Sequence, residues 1–230
     1  MFKIANNGLS LRWWASCIAL IGLSLLVACS SQAAGTNPDD MSAEEHQAAA
    51  EAHEATAEKH AEDYDPEART AGPPVSDDPF RGAVYGLETY NPTEYHHRMS
   101  ERHQDHARQH REAGETLLAF EEESCGKFPA ETRAECPLMG QVQAVEDVDG
   151  GVQLNFREGV SLAAVEAHMK CHFAYARTQG YEGMDSCPLY LRGLSIESDA
   201  ESHTVTVTTT DSAVVESLRQ RSREHALPVE

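Results

Sequence analysis

The chain is poor in basic residues and contains none of the familiar short catalytic motifs. Of its 230 residues, 18 are Lys or Arg and 38 are Asp or Glu, which gives a formal charge of −20 at pH 7. Because such an acidic surface repels phosphate backbones, the composition argues against nucleic-acid binding. No G-x-S-x-G, H-E-x-x-H or phosphate-binding glycine loop occurs in the sequence, so we expect a protein that is not an enzyme.

Long apolar runs are also scarce, and the most prominent one lies near the start of the chain. The run "ASCIALIGLSLLVAC" covers residues 15–29, which is shorter than the roughly 20 apolar residues that a membrane-spanning helix requires. It therefore predicts a secretory signal over residues 1–28, with an uncleaved membrane anchor as the alternative.

The end of this run, "LVAC" followed by "SSQAAG", resembles the lipobox of bacterial lipoproteins. The resemblance implies cleavage before Cys29 and attachment of a diacylglyceryl group to Cys29. Ser30 and Ser31 stand where an aspartate would favour the inner membrane, so the resemblance implies the outer membrane, on the side that faces the periplasm. We expect a chain that is anchored to the membrane by lipid and does not span it.

Shifts in composition divide the remainder into three parts. Residues 29–91 predict a disordered, acidic arm that includes an Ala/Glu/His-rich helical segment and a linker rich in proline and glycine. Ser42 and Glu45 fit a capping box at the start of the helical segment, but its few large apolar residues predict a helix that is only partly formed. Residues 92–124 predict a histidine-rich helix, and residues 125–230 predict a disulfide-bonded domain.

The histidine-rich helix carries one seam along its length. The stretch "HHRMSERHQDHARQH" contains five of the twelve histidines of the chain, and Asn91 and Pro92, just before it, are residue types that start helices. Steps of three and four residues place eight side chains on one helical face: His96, Met99, His103, His106, His110, Ala113, Leu117 and Phe120. The Ala/Glu/His-rich segment repeats this alternation at His46, Ala50, His53, Ala57 and His60.

Three interpretations of this seam stay open. Its neutral imidazoles could bind a divalent metal such as zinc, nickel or copper, with His96, His103, His106 and His110 as candidate ligands. The seam could instead pack against a partner helix while neutral and loosen below about pH 6. In the third interpretation it is the solvated face of a surface helix and forms no site.

The remainder of the chain predicts an α+β fold, with one small antiparallel sheet of four strands and helices on a single face. The stretch "QVQAVEDVDGGVQLNF" is typical of two strands joined by a turn at Asp149 and Gly150, and a helix follows it. A second pair of strands and a last helix come after them. The motif Cys-Pro-Leu, at Cys136 and Cys187, opens each half, which indicates a duplicated strand–strand–helix unit or a coincidence of three letters.

Four cysteines remain once Cys17 and Cys29 are set aside: Cys125, Cys136, Cys171 and Cys187. An even number in an exported protein favours disulfides, and among three connectivities we expect the local pairs Cys125–Cys136 and Cys171–Cys187. The alternative is a tetrahedral zinc or copper(I) site in and around "HMKCH", which combines His168, Cys171, His172 and Cys187. The helical projection argues partly against this site, because His172 leans toward the apolar face of its helix, whereas Cys171 points nearly opposite Leu162 and Met169.

These observations predict a non-enzymatic lipoprotein of the cell envelope that acts as an adaptor or scaffold and needs no cofactor. Its expected partners are the membrane, through the lipid anchor, and an envelope protein. The alternative function is the capture or buffering of zinc, nickel or copper by the histidine seams.

Overall fold

The structure, a computed structural model, describes residues 33–68, 70–71 and 89–226. All of them belong to one compact unit, Gln32–Glu230. The apolar run, Cys29 and most of the Pro/Gly-rich linker lie outside the described residues, so the predictions made for them stay predictions. None of the described helices combines the length and the apolar character that a membrane crossing requires.

Two long helices form the N-terminal part of the described chain. Helix α1, Ala43–Glu62, follows a single 3-10 turn at Pro38–Asp40, and helix α2 is Glu94–Cys125. The predicted capping box is confirmed: the Glu45 amide donates to the Ser42 hydroxyl, and the Glu45 carboxylate accepts from the Ser42 amide. The prediction that α1 is only partly formed is wrong, because its small residues pack against α2.

Helix α2 begins two residues later than the sequence predicts. Thr93, not Asn91, occupies the N-cap position, and the Asn91 side chain accepts a hydrogen bond from the Thr93 amide (2.8 Å). Asn91 therefore organises the turn that precedes the helix. Two short strands in the sequence between α1 and α2, β1 (Thr70–Ala71) and β2 (Thr89–Tyr90), pair antiparallel, and a single helical turn, α3 (Ala130–Arg133), follows α2.

The α+β part has the predicted architecture. Strands β3 (Val142–Val148), β4 (Gly151–Phe156), β5 (Leu194–Asp199) and β6 (Thr204–Thr209) form one antiparallel sheet in the order β3-β4-β6-β5. Helix α4 (Leu162–Thr178) follows β4 and helix α5 (Ser212–Ala226) follows β6, so the fold consists of two consecutive strand–strand–helix units. The two central strands, β4 and β6, have the same alternation of buried and half-buried positions.

One face of the sheet is buried under α4 and α5. Val152 of β4 and Val207 of β6 belong to a single apolar core with Met169 of α4 and Leu218 of α5. Side chains alternate between the two faces of a strand, so Gln153 points to the other face, where it is half buried. The helices therefore cover a single face, as the alternation of apolar and polar residues predicts.

A disulfide joins α2 to a second face of α4. It links Cys125 at the end of α2 to Cys171 in α4, so the predicted local pairs Cys125–Cys136 and Cys171–Cys187 are wrong. The physical reason is that α2 packs against α4 and brings together two cysteines that are 46 residues apart in the sequence. Cys136 and Cys187 are free thiols in this structure.

Candidate metal centre

Helices α1 and α2 face each other through three pairs of histidines. The Nδ1 atoms of the paired rings are 3.1, 2.9 and 3.1 Å apart, for His46–His110, His53–His103 and His60–His96 respectively. Within each helix these histidines are seven residues apart, so each pair lies two helical turns from the next. The order of the pairs makes the two helices antiparallel. We call these six residues the histidine ladder.

Small side chains fill the helix interface between the histidine pairs. Each lies four residues after a ladder histidine, and each is buried: Ala50 and Ala57 on α1, and Ser100, Ala107 and Gly114 on α2. Because these side chains are small, the two helices approach closely and the imidazoles of opposite helices meet. The interface thus alternates a layer of two rings with a layer of small groups.

The seam predicted on α2 is correct at the ladder histidines. At the positions between them, it names residues that are not the ones buried in the interface. The sequence analysis places Met99 and His106 on the seam, whereas Ser100 and Ala107 occupy the buried positions of the interface. Met99 and His106 are half buried at its edge. Steps of three and of four residues both return to nearly the same helical face, and the close approach of α1 selects the smaller residue of each neighbouring pair.

Each histidine pair can share one proton or one ion. A contact near 3 Å between two Nδ1 atoms requires one ring to donate a hydrogen and the other to accept it, so at least one ring of each pair is neutral. A metal ion can replace that hydrogen. With metal–nitrogen bonds of about 2.0–2.1 Å, two ligating nitrogens are about 2.8–3.0 Å apart at a right-angled site and about 3.4 Å apart at a tetrahedral one. The measured separations fit the right-angled arrangement with little ring movement.

A third imidazole stands beside the middle pair. His106 lies edge-on to His53, with ring centroids 5.0 Å apart, and His53, His103 and His106 offer nitrogens that lie within 4.8 Å of one another. Burial lowers the pKa of all three rings, and neighbouring histidines lower the pKa of each further. The rings are therefore neutral near pH 7 and have lone pairs with which to bind a metal.

The two ends of the ladder differ in their chemistry. At the more exposed end, His60, His96 and Asp63 offer two nitrogens and a carboxylate within 4.8 Å of one another. At the opposite end, His46 is 0 % exposed and His110 is 3 % exposed. The Nε2 atom of His46 donates to a carbonyl of the 3-10 turn (3.4 Å), which leaves its Nδ1 as the acceptor for His110. Burial lowers the pKa of His110.

All four ligand candidates predicted on α2 lie in the ladder or beside it: His96, His103, His106 and His110. Their counterparts on α1, His46, His53 and His60, are not among the predicted ligands, and neither is Asp63. The signal for the α1 histidines is present in the sequence as a repeat of the same alternation. Nothing in the spacing marks Asp63, which follows the last residue of α1.

The predicted "HMKCH" site does not form among the described residues. Cys171 is bonded to α2 and has no free thiol. The Nε2 atom of His168 donates to the Thr132 carbonyl (2.9 Å), which turns the ring toward α3. His172 does face Cys187, with its Nε2 atom 3.5 Å from the sulfur. The four residues therefore do not converge, and of the four only His172 and Cys187 face each other.

The chain matches no protein-family model, no curated protein and no solved structure. Its function therefore has to be inferred from its side chains. Neutral imidazole pairs suit borderline transition metals such as zinc, nickel and copper, whereas Mg²⁺ and Ca²⁺ prefer oxygen ligands. The ladder is accordingly a candidate centre for the first group of ions.

Proposed function

We propose that this chain captures or buffers divalent zinc, nickel or copper at the histidine ladder. The observation that carries the proposal is the set of three imidazole pairs across α1 and α2, with Nδ1 atoms 2.9–3.1 Å apart. Burying a polar ring costs free energy that an apolar side chain does not. A helix pair held by packing alone would fill these positions with alanine or leucine, so the repeated imidazoles favour a ligand.

The spacing of the pairs favours storage over catalysis. Seven residues of α-helix rise about 10.5 Å, so ions at successive pairs would lie about 10 Å apart. Two-metal catalytic centres hold their ions about 3.5–4 Å apart. Sites this distant can fill and empty separately, as a buffer requires. The charge of −20 supports the proposal, because an acidic surface raises the local concentration of cations.

The proposed location rests on the lipobox resemblance. A lipid on Cys29 would hold the ladder at the envelope membrane, where the chain would meet metal ions in the periplasm. A non-enzymatic adaptor or scaffold role for an envelope protein stays a prediction from the sequence. That role would be favoured over metal capture if the purified chain bound none of the three metals.

Isothermal titration calorimetry tests the proposal on the purified chain, with its free thiols alkylated so that imidazoles are the strongest remaining ligands. We expect zinc(II) or nickel(II) to bind, and the variant carrying His53→Ala, His103→Ala and His106→Ala to lose one equivalent. The matched control is His97→Ala. His97 lies on α2 beside the ladder, and its ring faces Glu101 (3.6 Å) instead of a histidine of α1.

Circular dichroism establishes that the helices of each variant are intact. If the triple variant, with α1 and α2 still helical, binds as many ions as the unchanged chain and as tightly, the middle of the ladder is not a metal site. Loss of binding in His97→Ala to the same extent would equally contradict the proposal, because it would show a general effect of histidine content.

A further inference from the structure

A second group of metal-binding side chains lies in the α+β part, apart from the ladder. The sulfurs of Cys136 and Cys187 are 3.5 Å apart, and Nε2 of His172 is 3.5 Å from the Cys187 sulfur. One donor atom from each of these three residues lies within 4.8 Å of the others. Cys187 and His172 are 0 % exposed and Cys136 is half buried. We call these three residues the thiol cluster.

The repeat of the strand–strand–helix unit brings the two thiols together. Cys136 precedes β3 and Cys187 precedes β5, so each stands at the same place in its unit and each begins a Cys-Pro-Leu motif. Backbone amides near both sulfurs favour their thiolate forms: that of Leu138 at Cys136, and those of Leu189 and Tyr190 at Cys187. Amide hydrogens directed at sulfur stabilise the thiolate, which is the form that binds a metal.

His172 is oriented as a ligand by a contact on its far side. Its Nδ1 atom lies 2.9 Å from the Arg133 carbonyl oxygen. Because a carbonyl only accepts hydrogen bonds, Nδ1 carries the hydrogen and Nε2 carries the lone pair. The lone pair therefore faces the thiols. Metal-binding histidines characteristically donate their other ring hydrogen to a carbonyl or carboxylate in this way.

The distances within the thiol cluster match a tetrahedral site. Zinc–sulfur bonds of about 2.3 Å and zinc–nitrogen bonds of about 2.0–2.1 Å separate two sulfurs by about 3.8 Å, and a sulfur and a nitrogen by about 3.6 Å. The measured values are 3.5 Å for both. A disulfide needs its sulfurs about 2.05 Å apart. These two distances therefore fit a shared ion with shifts of a few tenths of an ångström, and the Cys136 sulfur lies within 4.8 Å of the His172 nitrogen.

The candidate for a fourth ligand is His225 on α5. The His225 ring acts on the Cys136 thiol and helps to lower its pKa, although the largest cause is the hydrogen bond from Cys187. The same hydrogen bond and burial raise the pKa of Cys187. Nε2 of His225 is buried and has no hydrogen-bond partner among the described residues, while its Nδ1 faces Ser186 (3.4 Å). A buried nitrogen without a partner is costly unless it has a ligand.

We propose that Cys136, Cys187 and His172, with His225 as fourth ligand, form a site for a thiophilic d¹⁰ ion, zinc(II) or copper(I). Binding replaces the two thiol hydrogens, which leave as protons, and no electrons are transferred. The thiol cluster and the ladder share no residue, so the two proposals stand independently. Thiolate ligands also select softer ions than the imidazoles of the ladder do.

Protection from alkylation tests this site in the full chain, with Cys125–Cys171 left intact. The chain is treated with a thiol-blocking reagent in the absence of metal, with one equivalent of zinc(II), and with one equivalent of copper(I), and the labelled cysteines are identified by mass spectrometry. We expect Cys136 and Cys187 to be protected together in at least one metal arm. Protection in one arm only identifies the ion.

Four variants make the assignment specific. Cys136→Ser abolishes the protection of Cys187, and His172→Gln weakens metal binding at least about tenfold. His168→Gln is the matched control, because His168 lies one turn earlier on α4 and also donates to a carbonyl, but it faces away from the thiols. It leaves binding unchanged. Weakening by His225→Gln is expected for a fourth ligand, and unchanged binding would remove His225 from the site.

Two results would overturn the proposal. In the first, Cys136 and Cys187 react equally fast with and without both metals while the chain remains folded. In the second, they are recovered as a disulfide that forms as readily in the presence of metal as in its absence. Alkylating the thiols eliminates this site and leaves the ladder intact, so failure of one proposal is distinguishable from failure of the other.

Discussion

His53 on α1 and His103 on α2 bring their Nδ1 atoms to 2.9 Å from each other. At that distance the two nitrogens share one hydrogen, and they cannot both be protonated without breaking the contact. The same relationship recurs one heptad away in each direction. The contacts between the two helices therefore depend on proton concentration through these six side chains, and under our proposal the same six side chains respond to metal ions.

Acidification should destabilise the metal-free helix pair. Burial lowers the pKa of four histidines in the folded chain: His53, His103, His106 and His110. The unfolded chain, with an ordinary histidine pKa near 6.5, then binds more protons than the folded chain. The contribution of these four rings to the free energy of unfolding is therefore fully present above about pH 6.5. It is lost as the pH drops toward the lowered pKa values.

Urea unfolding at about pH 7.5 and about pH 5, with a chelator present, measures this change. Two charged side chains also act on these rings: Arg102 lowers the pKa of His103 and His106, and Asp105 raises that of His106. The His97→Ala control keeps the pH dependence, whereas replacing the middle pair and His106 with alanine reduces it. Equal stability at the two pH values would contradict the expectation.

The fully buried pair should show strong coupling between its two members. His110→Ala leaves the Nδ1 atom of His46 buried without its partner, so we expect a loss of about 1–3 kcal/mol in the free energy of unfolding. The double variant His46→Leu, His110→Leu replaces both polar rings with apolar ones and should recover most of that loss. Denaturant unfolding of the single variants His46→Leu and His110→Leu and of the double variant gives the coupling free energy. Strictly additive losses would contradict a hydrogen-bonded pair.

Much of this arrangement is visible in the sequence, in particular the elements and the histidine periodicity. Alternating apolar residues and the turn at Gly150, which has a φ of +70°, define the first hairpin. Histidines at steps of three and four residues define the seams. The pairing of α1 with α2 does not follow from the same pattern, because the antiparallel register depends on how closely two helices approach in space. The spacing of histidines along the sequence does not reveal how far apart the two helices lie.

The disulfide illustrates the same limit. Cys125 is closer in the sequence to Cys136 than to Cys171, and short loops are closed at a smaller entropic cost. The packing of α2 on α4 decides the partner instead. The thiol cluster is likewise formed by contacts across the two repeated units. The sequence identifies Cys187 and His172 as ligand types, but only the fold adds Cys136 to them.

The anchoring prediction concerns Cys29, which lies outside the described residues. Cys29→Ser should remove the lipid mass and the detergent partitioning that depends on it, because the thiol is the attachment point that the lipobox resemblance implies. Cys17→Ser, within the same apolar run, is the matched control and should leave lipidation unchanged. Intact-mass spectrometry and detergent partitioning measure both. A Cys29→Ser chain that still carries the lipid mass would contradict lipid attachment at Cys29.

The centre of the sheet should tolerate no side chain at Gly151. A Cβ there would overlap the Val207 carbonyl oxygen and lie 2.8 Å from Cα of Thr208, both in the backbone of the neighbouring strand β6. Because β4 and β6 are the two central strands, neither can shift without disturbing both hairpins. We expect Gly151→Ala to lower the free energy of unfolding by about 1–3 kcal/mol or more.

Gly114→Ala is the matched control for that substitution. Gly114 is buried in α2, and a Cβ there would meet the Ala43 carbonyl oxygen and Cβ of His46, each at 3.4 Å, which is ordinary contact. Alanine is also favoured over glycine inside a helix by about 1 kcal/mol. Gly114→Ala should therefore match or exceed the stability of the unchanged chain in urea unfolding. If Gly151→Ala were as stable as Gly114→Ala, the close approach of β4 and β6 would be incorrect, and with it the register that pairs Gly151 with Thr208.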